Sequence, residues 1–163
     1  MQRRELFSSV ASGFRADPKT EVQSHLRPPY SVDEALFHQE CQACEGKCAT
    51  VCEEEIIHIA EDKTPCLSFE KSGCSFCDAC AQVCEFEVLR LEAKTEVKAE
   101  VTISSASCLA WNEVMCFSCK EPCLDNAIVF EGLFNPKVDA QKCTGCGFCI
   151  ARCPAFCIEA KVA

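Results

Sequence analysis

The stretch from Cys143 to Pro154 reads CTGCGFCIARCP and contains four cysteines in the pattern C-x2-C-x2-C-x3-C-P. Two intervening residues let successive thiolates converge on one small inorganic core, and the glycines at 145 and 147 permit the positive φ values of so tight a loop. This is the ligand spacing of a [4Fe–4S] cluster, in which the fourth cysteine binds the cluster of a partner run. The stretch therefore predicts a second run elsewhere in the chain.

Three further runs of four cysteines precede this stretch, so the pattern is an internal repeat. The first run has one extra residue between its second and third cysteines, and the second has Glu85 where the last run has proline. The third has a seven-residue excursion after its first cysteine, and Trp111 in that excursion is expected to shield or pack against a cluster. The predicted ligands of four [4Fe–4S] clusters are Cys41, Cys44, Cys48, Cys52, Cys74, Cys77, Cys80, Cys84, Cys108, Cys116, Cys119, Cys123, Cys143, Cys146, Cys149 and Cys153.

In two-cluster ferredoxins, the fourth cysteine of each run binds the cluster of its partner run. The four runs of this chain can be paired in two ways. Exchange between neighbouring runs gives four ligand groups: Cys41, Cys44, Cys48 with Cys84; Cys74, Cys77, Cys80 with Cys52; Cys108, Cys116, Cys119 with Cys153; and Cys143, Cys146, Cys149 with Cys123. A nested arrangement instead pairs the first run with the fourth and the second with the third. We favour neighbours, because the charged stretch at 92–96 divides the chain into two similar halves.

Two cysteines fall outside the sixteen. Seven residues separate Cys66 from Cys74, as seven separate Cys108 from Cys116, so Cys66 is an alternative ligand of the second cluster. We favour a spare thiol, because four cysteines are already present there. Cys157 is interpreted as a small packing residue, and both cysteines are candidates for ligand exchange on oxidation. The three histidines are interpreted as ordinary surface or boundary side chains, because no cluster lacks a thiolate.

Zinc is the structural alternative to iron–sulfur clusters. Zinc sites usually consist of C-x2-C pairs separated by a spacer, with four ligands around one tetrahedral ion. Continuous runs of four cysteines with x2, x2 and x3 spacing instead favour cubanes.

Composition supports a fold that depends on its cofactors. Apolar residues form 48% of the 163, but 18 of these are cysteines, which leaves little ordinary apolar material for a core. The formal net charge of −9 predicts no binding to nucleic acid or anionic lipid and favours a protein partner with a basic patch.

The N-terminal segment lacks cysteine. Arg3 and Arg4 resemble an export signal, but no apolar region follows them, and no stretch reaches transmembrane length. The sequence therefore predicts a cytoplasmic protein without membrane insertion, in which reduced thiols act as ligands. Leu6, Phe7, Val10 and Phe14 share one helical stripe, which is either packed on the protein or used for docking.

Hydrophobic patterning predicts an α+β fold of tandem bacterial ferredoxin-like modules, each with two clusters. The predicted units are an N-terminal helical or docking segment at 1–39 and modules at 40–92 and 93–163. Residues 27–30 (RPPY) are expected to be extended, and a capping box at 31–34 to begin a short helix. Strands are predicted at 88–91, 97–103, 127–130 and 158–162, with a short helix or strand at 56–59 and a turn at 132–136.

No feature of the sequence predicts an enzyme. It contains no glycine-rich phosphate loop and no nucleotide fingerprint, and none of the four runs is short of a thiolate where a substrate could bind. Every strong motif serves to hold clusters.

The whole chain resembles the ferredoxin-type proteins associated with periplasmic nitrate reductase, the NapF family. The resemblance rests on the Arg3-Arg4 segment, the Arg-Pro-Pro-Tyr element at 27–30, the four cysteine runs in this order, the excursion between Cys108 and Cys116, and the final run with its proline. The wider first run and the missing prolines after Cys52 and Cys84 depart from the standard motif.

The resemblance implies a cytoplasmic protein that binds the molybdenum-containing catalytic subunit of nitrate reductase before that subunit is exported. Its implied role is to help load or reduce the iron–sulfur centre of that subunit. The alternative is a plain electron carrier that feeds a reductase and has no part in assembly.

Overall fold

The computed structural model describes residues 25–163. The helices are short: α1 spans Glu34–Glu40, α2 Lys47–Thr50, α3 Ala79–Gln82 and α4 Phe148–Ala151. The strands are β1 Ile57–Ile59, β2 Pro65–Leu67, β3 Ala99–Ile103, β4 Ile128–Glu131, β5 Phe134–Val138 and β6 Ile158–Val162. Single 3-10 turns cover Cys41–Ala43, Leu91–Ala93 and Ala110–Asn112. The predicted helix on residues 6–14 lies outside the described residues.

The strands form three antiparallel pairs within the described chain: β1 with β2, β3 with β6, and β4 with β5. The pair of β3 and β6 joins distant parts of the sequence, with Ala99 opposite Val162 and Ile103 opposite Ile158. Val101 is buried while Glu100 and Thr102 are exposed, so the alternation expected for this strand is confirmed. The expected final strand at 158–162 is confirmed by the same pairing.

Three local predictions need correction. The helix after residue 33 exists, but its cap is Asp33, whose side chain accepts from the Ala35 N–H, and not Ser31. Residues 88–91 do not form a strand; Leu89 makes only an isolated bridge to Ser31, because the chain turns at once into a 3-10 turn. The turn expected over 132–136 is shorter, since residues from 134 onward already belong to β5.

The Arg-Pro-Pro-Tyr element is a buried structural element. Its last residues form a turn, in which the Ser31 N–H donates to the Pro28 carbonyl at 3.2 Å, so it is not extended throughout. The Arg27 guanidinium lies over the Phe37 ring and donates to Thr64 Oγ1 at 2.7 Å. These contacts fasten the segment before α1 to the β1–β2 pair.

Two clusters of buried residues organise the described chain. The first core contains Tyr30, Phe37, Ile56, Ile57, Leu67, Phe69, Cys80, Ala81, Val88, Leu89 and Val97. The second contains Val101, Cys108, Ala110, Cys119, Ile128, Cys149, Cys153, Cys157 and Ile158. Ile150 and Ala160 are partly buried against both cores, so the two cores adjoin.

No helix among the described residues is both long and apolar enough to cross a membrane.

Candidate iron–sulfur cluster sites

The first group of thiols forms around the turn after α1. Cys41, Cys44 and Cys48 line one small cavity together with Cys84, which follows α3. Phe37 and Phe86 are among the apolar side chains around this cavity. Three cysteines of the first run therefore meet the fourth cysteine of the second run.

The second group has the reciprocal composition. Cys74, Cys77 and Cys80 line a cavity with Cys52, the last cysteine of the first run. The same cavity is bordered by Tyr30. The first two runs thus exchange their fourth cysteines.

The third group lies between the excursion and the C-terminal run. Cys108, Cys116 and Cys119 line a cavity with Cys153. The excursion folds back through the 3-10 turn at Ala110–Asn112, and Trp111 Nε1 donates to the Pro136 carbonyl at 3.1 Å. Trp111 packs against the second core, in agreement with its expected packing role.

The fourth group contains Cys143, Cys146 and Cys149 from the C-terminal run. Cys123 lies close enough to Cys143 and Cys149 to affect both thiols electrostatically. Positive φ values of 68° at Gly145 and 84° at Gly147 wind the loop, as expected from the sequence.

The four groups correspond to exchange between neighbouring runs and not to the nested arrangement. Each group combines the first three cysteines of one run with the fourth of its neighbour. Among residues 25–163, no three His, Cys, Asp or Glu side chains meet closely enough to hold one metal ion. In the first three groups the sulfur atoms instead line cavities. Four thiols around a cavity are the donor set of a [4Fe–4S] cluster.

Backbone amides point at three of the fourth-position sulfurs. The Leu89 N–H donates to Cys84 Sγ at 3.3 Å, and the Ala127 N–H donates to Cys123 Sγ at 3.3 Å. The Cys157 N–H donates to Cys153 Sγ at 3.4 Å. Such bonds stabilise a thiolate and are one means by which a protein sets the reduction potential of a cluster.

Burial makes it costly to charge these thiols without a metal. Burial, together with the neighbouring thiols, raises the pKa of the Cys80 thiol to about 12. The same causes raise the pKa of Cys149 to about 12 and that of Cys41 to about 11. Four buried thiolates repel one another, so a cationic metal centre would be required to hold a group in its ligating form.

The groups adjoin one another in a definite order. Cys48 of the first group acts electrostatically on Cys80 of the second, and Cys119 of the third acts on Cys149 of the fourth. Between the halves, the Cys74 N–H donates to the Cys146 carbonyl at 2.6 Å. The order in space is therefore first, second, fourth, third.

A close backbone approach makes the contact between the halves. A Cβ placed on Gly73 would lie 2.5 Å from the Phe148 nitrogen and 2.7 Å from the Cys146 carbonyl oxygen. Only glycine leaves room for the second and fourth runs to meet in this way.

The two cysteines outside the sixteen predicted ligands, Cys66 and Cys157, lie in different surroundings. Cys66 lies opposite His58 in the β1–β2 pair, and its charged neighbours are Arg27 and Asp62. Its position agrees with a thiol outside the ligand set. Cys157 is buried in the second core, as expected for a packing residue, and its Sγ also lies 3.4 Å from Cys153 Sγ. Sequence reasoning missed this proximity, although the four-residue spacing from Cys153 was a visible signal.

The histidines lie apart from the cysteine groups. His25 Nε2 and His38 Nδ1 lie 3.6 Å and 3.9 Å from Asp62 Oδ2. His58 is exposed on β1.

Comparison with known proteins agrees with the thiol geometry. A family model described as "4Fe-4S binding domain" matches residues 136–159. The ferredoxin-type protein NapF of Escherichia coli (strain K12) is 36% identical over 145 residues, which cover 86% of this chain and 87% of that protein. NapF of Haemophilus influenzae is 32% identical over 133 residues, covering 79% and 74%.

A more distant relative is the methylamine utilization ferredoxin-type protein MauM of Methylophilus methylotrophus. It is 29% identical over 151 residues, which cover 80% of this chain and 66% of MauM. The likeness to NapF is higher and extends over most of both chains. On that likeness and the match to the 4Fe-4S binding domain, this protein belongs to the NapF family of ferredoxin-type proteins.

Proposed function

We propose that this chain is a four-cluster [4Fe–4S] protein that docks the cytoplasmic precursor of the periplasmic nitrate reductase catalytic subunit. It assists maturation of that subunit by transferring electrons or an iron–sulfur cluster. All sixteen cysteines of the four runs act as iron ligands. The tandem modules are residues 40–92 and 93–163, preceded by a segment at 1–39.

The observation that carries the proposal is the continuous line of cysteine groups. A cofactor supplies the redox chemistry, whereas the protein determines where each redox centre lies. At each step of the line, thiols of neighbouring groups lie close enough to act on one another electrostatically. The hydrogen bond from the Cys74 N–H to the Cys146 carbonyl bridges the two halves. Such a line supports passage of electrons from one end of the molecule to the other.

Family membership and net charge support nitrate reductase as the partner, and the cysteines support the cytoplasm as the compartment. Membership of the NapF family supports a link to nitrate reductase, whose catalytic subunit contains molybdenum. The net charge of −9 favours a basic docking surface on that partner and disfavours nucleic acid. Reduced thiols as cluster ligands fit the cytoplasm. The chain acts as a carrier and accessory, not as an enzyme with its own substrate.

Metal and sulfide analysis of the purified protein tests the cofactor. We expect about sixteen iron atoms and as many sulfides per chain, as four cubanes require. About four zinc ions and no sulfide would contradict the cluster hypothesis.

A strain lacking this protein tests maturation. We expect its nitrate reductase catalytic subunit to be deficient in iron–sulfur content, and normal content to return when the protein is restored. The alternative, a plain electron carrier that feeds a reductase, would use the same line of groups. It predicts a subunit with full cluster content that lacks only its electron supply.

The N-terminal segment provides a separate test of docking. Tyr30 and Phe37 are fully buried in the first core, so the deletion is limited to residues 1–24 and leaves the described residues intact. We expect this deletion to weaken binding to the partner while the iron content stays unchanged. Unchanged binding would exclude the segment as the docking element.

The electron path is tested at the contact between the halves. Gly73→Ala should push the second and fourth runs apart and weaken the magnetic coupling between their reduced clusters in electron paramagnetic resonance (EPR) spectra. Gly132→Ala is the control, because a Cβ there meets nothing within 4 Å and its only cost is the local backbone strain of an alanine at a φ of 70°. Equal coupling in both variants would argue against the contact as part of the path.

A further inference from the structure

Cys157 lies beside the third group of cysteines, directly before β6. It is buried in the second core, with 4% of its surface exposed. Its Sγ lies 3.4 Å from Cys153 Sγ. The separation is near van der Waals contact, so an atom bound by one sulfur is within short reach of the other.

The cavity of the third group is lined by five cysteines. Cys157 borders it together with the four predicted ligands Cys108, Cys116, Cys119 and Cys153. A cubane offers one open coordination site on each of its four irons. One thiol at this cavity is therefore in excess.

The other three groups lack a cysteine at the equivalent position. Four residues after the fourth-position cysteine, the first, second and third runs have Ile56, Val88 and Ala127. Only the C-terminal run has a cysteine there. The sequence repeat thus supplies internal controls for any role of this thiol.

We propose that Cys157 is a reserve ligand of the third cluster, able to replace Cys153 on the same iron. The inference rests on the proposed binding of a cluster by the third group. In the exchange, the bond from iron to the Cys153 sulfur breaks and a bond to the Cys157 sulfur forms. The proton of the Cys157 thiol passes to the released Cys153 thiolate. The reaction is a ligand substitution, so no electron is gained or lost.

The geometry explains why Cys153 is the ligand that Cys157 can replace. The Cys157 N–H donates to Cys153 Sγ at 3.4 Å, so the two residues already share one local loop. A rotation about the Cys157 side chain and a small shift of that loop are enough to exchange the two sulfurs. The remaining three ligands lie on the other run and hold the cluster meanwhile.

The test compares Cys153→Ala with Cys123→Ala, which removes the corresponding ligand of the fourth cluster. Each protein is purified without oxygen, and its iron, sulfide and EPR spectra are measured. We expect Cys153→Ala to keep the full wild-type iron content. Cys123→Ala should lose up to one cluster, about four iron atoms, or give the signal of a three-iron cluster.

The double variant Cys153→Ala/Cys157→Ala should behave like Cys123→Ala. If Cys153→Ala alone loses as much iron as Cys123→Ala, the reserve role is wrong. If Cys157→Ser alone lacks a cluster, Cys157 is an obligatory ligand and the proposal is also wrong. A wild-type protein without iron and sulfide would instead overturn the proposed function itself.

A second measurement applies even if Cys153→Ala does not fold. Cys157→Ser keeps all sixteen predicted ligands and nearly the same side-chain volume. We expect it to release iron to a chelator several-fold faster than wild type, and only from one cluster, because the replacement thiol is missing. Cys66→Ser is the matched control and should release iron at the wild-type rate. Equal rates in all three proteins would refute the proposal.

Discussion

The two cores are built from different materials, although each accompanies two cysteine groups. The buried residues of the first core include two fully buried aromatic side chains, Tyr30 and Phe37, and one cysteine, Cys80. Five of the nine buried residues of the second core are cysteines. Burial of ordinary apolar side chains stabilises a fold whether or not a cofactor is bound. We therefore expect the second half to depend more heavily on its clusters than the first.

The first core owes this difference to the segment before the cysteine runs. Residues 27–37 bring Arg27, Tyr30 and Phe37 against the β1–β2 pair, and no equivalent segment precedes the second half. The Tyr30 hydroxyl donates to Asp78 Oδ1 at 2.6 Å, which ties the segment to the second run as well. Burial raises the pKa of Tyr30, so this hydroxyl remains a donor through the neutral range.

Removal of the clusters should have the largest effect, and it should destabilise the second half more than the first. After anaerobic chelation, amide hydrogen exchange in β3 and β6 should approach that of an unfolded chain, because their core loses the metal that holds its cysteines. Protection in β1 and β2 should fall less. Equal loss of protection in both halves would contradict the expectation that the second half depends more heavily on its clusters.

Phe37→Ala should make the first half resemble the second in its dependence on clusters. The side chain is fully buried at 0% exposure, and loss of such a phenylalanine costs about 3–5 kcal/mol of unfolding free energy. Anaerobic denaturant unfolding measures the change. Phe156→Ala is the control, because that ring is 86% exposed and its loss should change stability by no more than about 0.5 kcal/mol.

Arg27→Ala should loosen the same segment by a smaller amount. The guanidinium donates to Thr64 Oγ1 and to the Pro65 carbonyl, each at 2.7 Å, and the two acceptors are buried. We expect a loss of about 2 kcal/mol in unfolding free energy. Arg90→Ala removes an exposed ion pair with Glu87 and should cost less than about 1 kcal/mol. Similar losses in both variants would mean that the buried contacts of Arg27 add nothing.

Tyr30→Phe should have the smallest effect. It tests the hydrogen bond that links the segment at 27–37 to the second cysteine run. The ring stays buried, while the hydrogen bond to Asp78 is lost, so we expect a decrease of about 1 kcal/mol. Denaturant unfolding of this variant beside Phe37→Ala separates the hydroxyl from the aromatic packing. A loss as large as that of Phe37→Ala would show that the hydroxyl, and not the packing, anchors the segment.

Local patterns predicted much of the described structure. The strands predicted at 97–103, 127–130 and 158–162 were found at 99–103, 128–131 and 158–162, and the positive φ values of the last run were also predicted. Each of these features depends on neighbours in the chain. The errors lay where distant packing decides. Residues 88–91 have strand-like composition, but their partner segment offers only one bridge, to Ser31. Pro136 suggested a turn, yet it lies buried within β5.

The sixteen predicted ligands could be identified from the amino-acid sequence alone. Short, fixed spacings along the chain bring the thiolates of one run to the distances that a cluster requires. The sequence left two arrangements of the runs open, and only the tertiary structure chose between neighbour exchange and nesting. The meeting of Gly73 with the fourth run and the position of Cys157 beside Cys153 were likewise decided by packing. The physical reason is that spacing limits which thiols of one run can converge, whereas the approach of different runs depends on how two cores pack together.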